Sequence, residues 1–401
     1  MPPVADVPSE SIDDSLQQVI AIDHELTGIE RTLNFLLYVT PVNVSEAWTD
    51  FEKSGFDHPP GLRLRPLDFD PDLAMRRLFA LEIERVEDAT LSLLLTEKRD
   101  ELARQITLLK DRDTSRFAYG SLQLFGEVGE ALVAEAEEIL ARVSDEPSAD
   151  SRVTATAFAE AAQTEFDLYR SRYPDFEYGL DVRTDISDLM VLHGRLLIPA
   201  TASFSNRRVA PLIQHEVGTH VITYANGVLQ PLKLLSVGLP GYEETQEGLA
   251  VLAEFAVGGL SPQRMRVLAA RVVAVHRLLQ GVGFLEIFNE LHESHGFGPH
   301  SAWSIAVRVN QGGGLTKDVI YLRGLERVLE FASQRKDLSQ LFIGKLSLEQ
   351  IAVIDELLQR EFLKPPHVMP HWYESPDAQG RLQAVYQGVR PIDLIDSKDF
   401  R

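Results

Sequence analysis

With 401 residues, 44% of them hydrophobic and 25% charged, the chain has the make-up of a water-soluble globular protein and can bury a large core. A formal net charge of −21 disfavours nucleic acid or an anionic membrane as the main partner, and zero cysteines exclude disulfides, thiolate metal sites and a cysteine nucleophile. The amino terminus shows no basic stretch followed by an apolar one, and no apolar run approaches the ~20 residues of a membrane span, so a cytoplasmic enzyme is the expectation.

Helical spacing of Leu16, Val19, Ile22, Leu26 and Ile29 predicts a first helix. Its His24-Glu25 pair carries no metal motif, because no second histidine follows within a turn or two. Leu33 to Val39 reads as strand or buried helix, and 51–71, rich in Pro, Gly and Asp, as loop. Helices predicted at 72–87, 89–111 and 125–143 complete a mostly helical region over 1–148 with no cluster of chemistry. The linker candidate, Ser144 to Ser151, opens a second region over 149–401. There a helix at 153–172 precedes short strands at 178–183 and 189–198, the latter turning near His193-Gly194. The 189–198 stretch is the expected edge for an extended peptide, since strand addition is a general way to hold one.

A helix then starts between Asn206 and Pro211 and is expected to stop at Asn226-Gly227. Residues 228–242 read as loop, and a second helix at 243–257 ends at Gly258-Gly259, with Gly248 letting it approach the first closely. Further helices are predicted at 262–280, 284–295, 300–311, 316–334 and 348–362, with Ser347 to Gln350 as a capping box for the last. From Pro365 onward the prolines predict an irregular segment wrapped over the surface.

The chemistry concentrates in Gln214-His215-Glu216-Val217-Gly218-Thr219-His220 and in Gln246-Glu247-Gly248-Leu249-Ala250, whose glutamate lies 27 positions after His220. In the common H-E-x-x-H motif the histidines sit about 40° apart around an α-helix; at i and i+5 they would lie roughly 140° apart, too far to share one ion. One extra residue accommodated as a π-bulge restores a common face, and Gly218 between the histidines would ease that distortion. A widened turn is therefore predicted over 215–220. His215 and His220 with a carboxylate form a catalytic zinc set that leaves one position open. Glu216, next to His215, points beside the metal, where it can take a proton from a water whose pKa the ion lowers towards ~7. For the third ligand, Glu247 competes with Glu243, Glu244 and Glu254, because 243, 247 and 254 share one helical face. Glu254 is a candidate to orient a ligand histidine.

These motifs resemble those of the flavohaemoglobin expression-modulating QEGLA-motif proteins, whose animal relatives include the microtubule-associated tyrosine carboxypeptidases. The likeness rests on H-E-x-x-x-H at 215–220, Q-E-G-L-A at 246–250 and Lys317-Asp318-Val319-Ile320-Tyr321-Leu322-Arg323-Gly324, with further similarity from Tyr178 to Pro199. It implies Zn2+ held by His215, His220 and Glu247, with Glu216 as the catalytic glutamate. The animal relatives remove a C-terminal residue from tubulin, whereas the bacterial family name records an effect on expression. The likeness thus implies a peptide or protein C-terminus as substrate and a metallocarboxypeptidase as enzyme.

An exopeptidase needs a cation for the terminal carboxylate and a donor for the developing oxyanion. Lys317 and Tyr321, one helical turn apart, are the leading candidates, with Arg308 and Arg323 beside them. Arg207 and Arg208 read as surface charges. Gly312-Gly313-Gly314 lacks phosphate-loop spacing and reads as a turn that brings Lys317 and Tyr321 towards the metal. His292, Glu293, His295 and His300 read as a helix end. The expectation is an α+β, predominantly helical, zincin-like metallopeptidase with a small sheet beside the metal helices. The alternatives are a regulatory or binding protein that retains a metal site, and a non-peptide amide hydrolase.

Overall fold

A computed structural model describes residues 9–144, 150–176 and 178–396. Its first helix, Ser9–Leu33, is set off from the short helix Phe35–Val39 by Asn34, which sits in the left-handed region (φ 39, ψ 44). Asparagine tolerates that region because its short side chain crowds the backbone little. Of the two readings of 33–39, helix is therefore the one adopted. Asp70 caps Pro71–Phe79 by accepting from the Asp72 and Leu73 amides, and that helix ends well before the predicted residue 87. Ala89–Lys110 matches its prediction, whereas Val44–Lys53 and Arg116–Phe125 were not foreseen as helices. Most of the predicted linker, 145–149, lies outside the described residues. One apolar core runs through the molecule and includes residues from Val19 to Leu394.

The strands are short: β1 Arg152–Thr154, β2 Gly179–Arg183, β3 Met190–Leu192, β4 Arg195–Pro199 and β5 Ser203–Ser205. β1 and β5 form an antiparallel pair, and β4 lies between β2, to which it is parallel, and β3, to which it is antiparallel. The predicted peptide edge thus narrows to β3, since β4 is paired on both sides and buries Leu196, Leu197 and Ile198. His193 and Gly194 make the β3–β4 turn with φ of 48° and 76°, as the sequence suggested.

The helix that carries the histidines runs as Val209–His215, a π turn Glu216–Val221 and then Ile222–Leu229. It does not stop at Asn226-Gly227. Asn226 is instead a buried clasp: its amide nitrogen donates to the Phe342 and Val368 carbonyls, and its oxygen accepts from the His367 and Val368 amides. The carboxy-terminal segment is likewise not an irregular surface wrap. It forms the helices His371–Glu374, Pro376–Val385 and Asp393–Asp396 and sinks Trp372 into the core.

The second motif helix, Tyr242–Ala256, crosses Ile320–Arg335 at glycines. A Cβ on Gly248 would stand 2.1 Å from the Gly324 carbonyl carbon, and one on Gly324 2.1 Å from the Glu244 carbonyl oxygen. Gly248 therefore serves close approach to this later helix, not to the histidine helix. The Ser347–Gln350 capping box is present, leading into Ile351–Gln359. No described helix is long and apolar enough to cross a membrane.

Candidate metal centre

The π turn predicted from the spacing of His215 and His220 occupies Glu216–Val221 and turns both imidazoles towards one point. Two local features hold it. Trp372 Nε1 donates to the Gly218 carbonyl at 3.2 Å, and a Cβ on Gly218 would stand 2.4 Å from Gln214 Oε1 and 2.9 Å from Trp372 Cδ1. Glycine is thus required here by its neighbours as well as by the widened coil.

Glu247 arrives from Tyr242–Ala256. Its Oε2 lies 3.4 Å from His215 Nε2 and 3.7 Å from His220 Nε2. The ligand atoms of the three residues all fall within 4.8 Å of one another, the one such group of three among the described residues. Glu247 Oε2 is buried and makes no hydrogen bond. A carboxylate oxygen left bare opposite two imidazole nitrogens is costly unless a cation completes it, so the donor set fits a divalent ion.

The shell behind these groups fixes their chemistry. His215 Nδ1 pairs with Glu254 Oε1 at 2.9 Å, which leaves Nε2 available to a metal ion. Arg208 and Arg264 grip Glu254 in turn, so Arg208 is part of the site's support and not a surface charge. Burial pushes the Glu254 carboxyl up, but those two guanidiniums outweigh it and hold the group well below the usual carboxylate range. Burial lowers His215, yet Glu247 and Glu254 draw it up to about 9. Without a cation, a proton takes the metal's place on this imidazole. Burial pushes Glu247 up as well, and Lys317 with the two imidazoles holds it ionised nonetheless.

Glu216 lines a cavity together with His215, His220 and Glu247, is 7% exposed and is raised to about 7 by burial against the pull of His215. Lys317 and Tyr321 also line it. The Lys317 ammonium sits 3.4 Å from Glu243 and 3.5 Å from Glu247, and these carboxylates keep it charged despite burial. The Tyr321 phenol, pushed up to about 12 by burial and by Glu247, remains a proton donor near neutral pH. Arg308 reaches the cavity but forks onto Asp318, at 2.9 Å for each of its two bonds. Arg323 does not belong to the site: it binds Glu244 and the Phe125 and Glu127 carbonyls.

Several contributors escaped the sequence reading. Gln246 lines the cavity; its Nε2 is buried and without a partner, while its Oε1 accepts from Thr223 at 2.7 Å and ties the two motif helices together. Lys345 and β3 residues Met190 and Val191 complete the walls. The second histidine group does not converge: His292 Nδ1 pairs with the Phe297 carbonyl, and His300 lies against Trp48 and Trp303. Gly312, Gly313 and Gly314 all have positive φ and turn the chain against Phe117 and Ala118.

A family model described as "Microtubule-associated tyrosine carboxypeptidase" matches residues 49–388. A mouse relative, "Putative tyrosine carboxypeptidase MATCAP2", is 26% identical over 170 residues, covering 39% of this chain and 32% of the mouse protein. The match thus spans about a third of that relative's length. No solved structure matches the chain.

Proposed function

The chain belongs to the microtubule-associated tyrosine carboxypeptidase family, and from that premise we propose that it is a zincin-like metallopeptidase removing the C-terminal residue of a peptide or protein. The observation that carries the proposal is the bare Glu247 Oε2 facing His215 Nε2 and His220 Nε2, with Glu216 beside them in a cavity. A structural metal site has no use for a second buried carboxylate, Glu216, outside the ligand set, and it tends to close its fourth position.

A zinc ion held by His215, His220 and Glu247 would supply the Lewis acidity that polarises a carbonyl and makes water nucleophilic near neutral pH. Glu216 accepts the proton of the attacking water and delivers it to the amine nitrogen as the C–N bond breaks, leaving a carboxylate on the shortened chain and a free amino acid. Glu254 keeps His215 in one tautomer and orientation. Lys317 neutralises part of the charge on Glu243 and Glu247, and the Tyr321 hydroxyl donates to the oxygen that gains negative charge in the transition state.

Incubation of the zinc-loaded chain with a mixed peptide pool, read by mass spectrometry, is expected to yield peptides shortened by one C-terminal residue, amino-terminally blocked peptides included. Cuts confined to internal bonds, or none in any peptide, would contradict the proposal.

A further inference from the structure

A second cavity adjoins the catalytic one, and the two share Leu36, Met190, Val191, Tyr242, Glu243 and Lys345. The cations near the catalytic cavity are otherwise committed. Lys317 lies between Glu243 and Glu247, Arg308 and Arg271 serve Asp318, and Arg208 and Arg264 serve Glu254. Lys345 differs. It is 8% exposed, and among the described residues no carboxylate lies within 4.0 Å of its ammonium, which sits 5.5 Å from the Tyr242 ring centroid.

Its backbone leaves little freedom. The Lys345 amide donates to the Leu235 carbonyl at 2.8 Å, and its carbonyl accepts from the Leu239 amide at 2.9 Å. Gly344 permits this approach, since a Cβ there would stand 2.8 Å from the Leu235 carbonyl oxygen. A buried ammonium without an anion is a standing electrostatic cost that a bound carboxylate would relieve. Burial lowers Lys345 to about 8, with Glu30, Glu243 and Glu247 acting in the opposite direction, so it is charged at neutral pH.

The second cavity has apolar sides, including Phe35, Leu192 and Val237, and an acceptor-rich wall. Gln105 is 7% exposed and its Oε1 has no partner; Asn34 Oδ1 has none either. Two buried acceptors in a cavity with apolar sides can take a hydrogen bond from a terminal side chain that enters it.

Resting on the carboxypeptidase reading, we propose that Lys345 holds the terminal carboxylate of the substrate, and that the second cavity receives the terminal side chain.

The test separates binding from turnover. Binding of Ala-Ala-Ala-Tyr and of its C-terminal amide is measured by calorimetry on the zinc-loaded Glu216→Gln chain, with and without Lys345→Met or Gln105→Leu. The free acid is expected to bind ~10- to 100-fold tighter than the amide, the worth of a charge-assisted hydrogen bond. Lys345→Met should bring the two within ~3-fold by weakening the acid alone, and Lys345→Arg should restore part of the gap. Gln105→Leu should change the affinity for acid and amide alike while keeping the preference for acid over amide. An acid preference that survives Lys345→Met, or no binding of any peptide, overturns the proposal. Peptide binding with this pattern, but no shortening of the same peptides by the unsubstituted chain, would instead sink the hydrolytic reading.

Discussion

Glu216→Gln is expected to lower turnover of a C-terminal peptide bond by ~10³-fold, within the range that a positioned general base supplies, while the bound metal and the folded stability stay unchanged. The substitution keeps size and shape and removes the proton acceptor. Glu216 bridges none of the ligands: the metal group is His215, His220 and Glu247, and the side chain behind it is Glu254. Activity on peptides and metal content, measured on one preparation, separate the two effects. A variant that keeps activity within tenfold of the parent would remove Glu216 from the chemistry, and one that loses its metal would make it a structural residue.

Gly248→Val is expected to destabilise the chain by at least ~3 kcal/mol, the upper range for overpacking a tight contact, because the new side chain meets backbone and not a movable side chain. The Gly324 carbonyl carbon would lie 2.1 Å from the added Cβ. The two helices must then separate, which shifts Glu247, one residue from the crossing, away from the imidazoles. Urea unfolding measures the loss, and metal titration of whatever remains folded should show weaker binding. A midpoint indistinguishable from the parent's would mean that the crossing is looser than its geometry states.

The site's centre was legible because its logic is local. His215 and His220, five positions apart, cannot share an ion on a regular α-helix, and Gly218 marked where the coil widens. Helix-period spacing likewise gave Ala89–Lys110, and Ser347 with Gln350 gave a cap. What the chain hid is what depends on distant partners. Asn226-Gly227 has the look of a helix stop, yet the Asn226 side chain bonds to the backbone at 342 and 367–368, and the helix continues. The prolines after 365 suggested a loose tail, whereas Trp372 from that tail braces the Gly218 carbonyl. Arg208 looked like a surface charge until folding set it on Glu254, and Lys345 carries no local pattern that places it between two cavities.

The account turns on whether the widened coil and the Q-E-G-L-A carboxylate grip one divalent cation. Elemental analysis of the purified chain beside Glu247→Ala, after dialysis against trace zinc, tests this most directly. The account predicts close to one zinc per chain for the parent and close to none for the variant at unchanged helicity. Equal metal content in the two, or none in either, would contradict it.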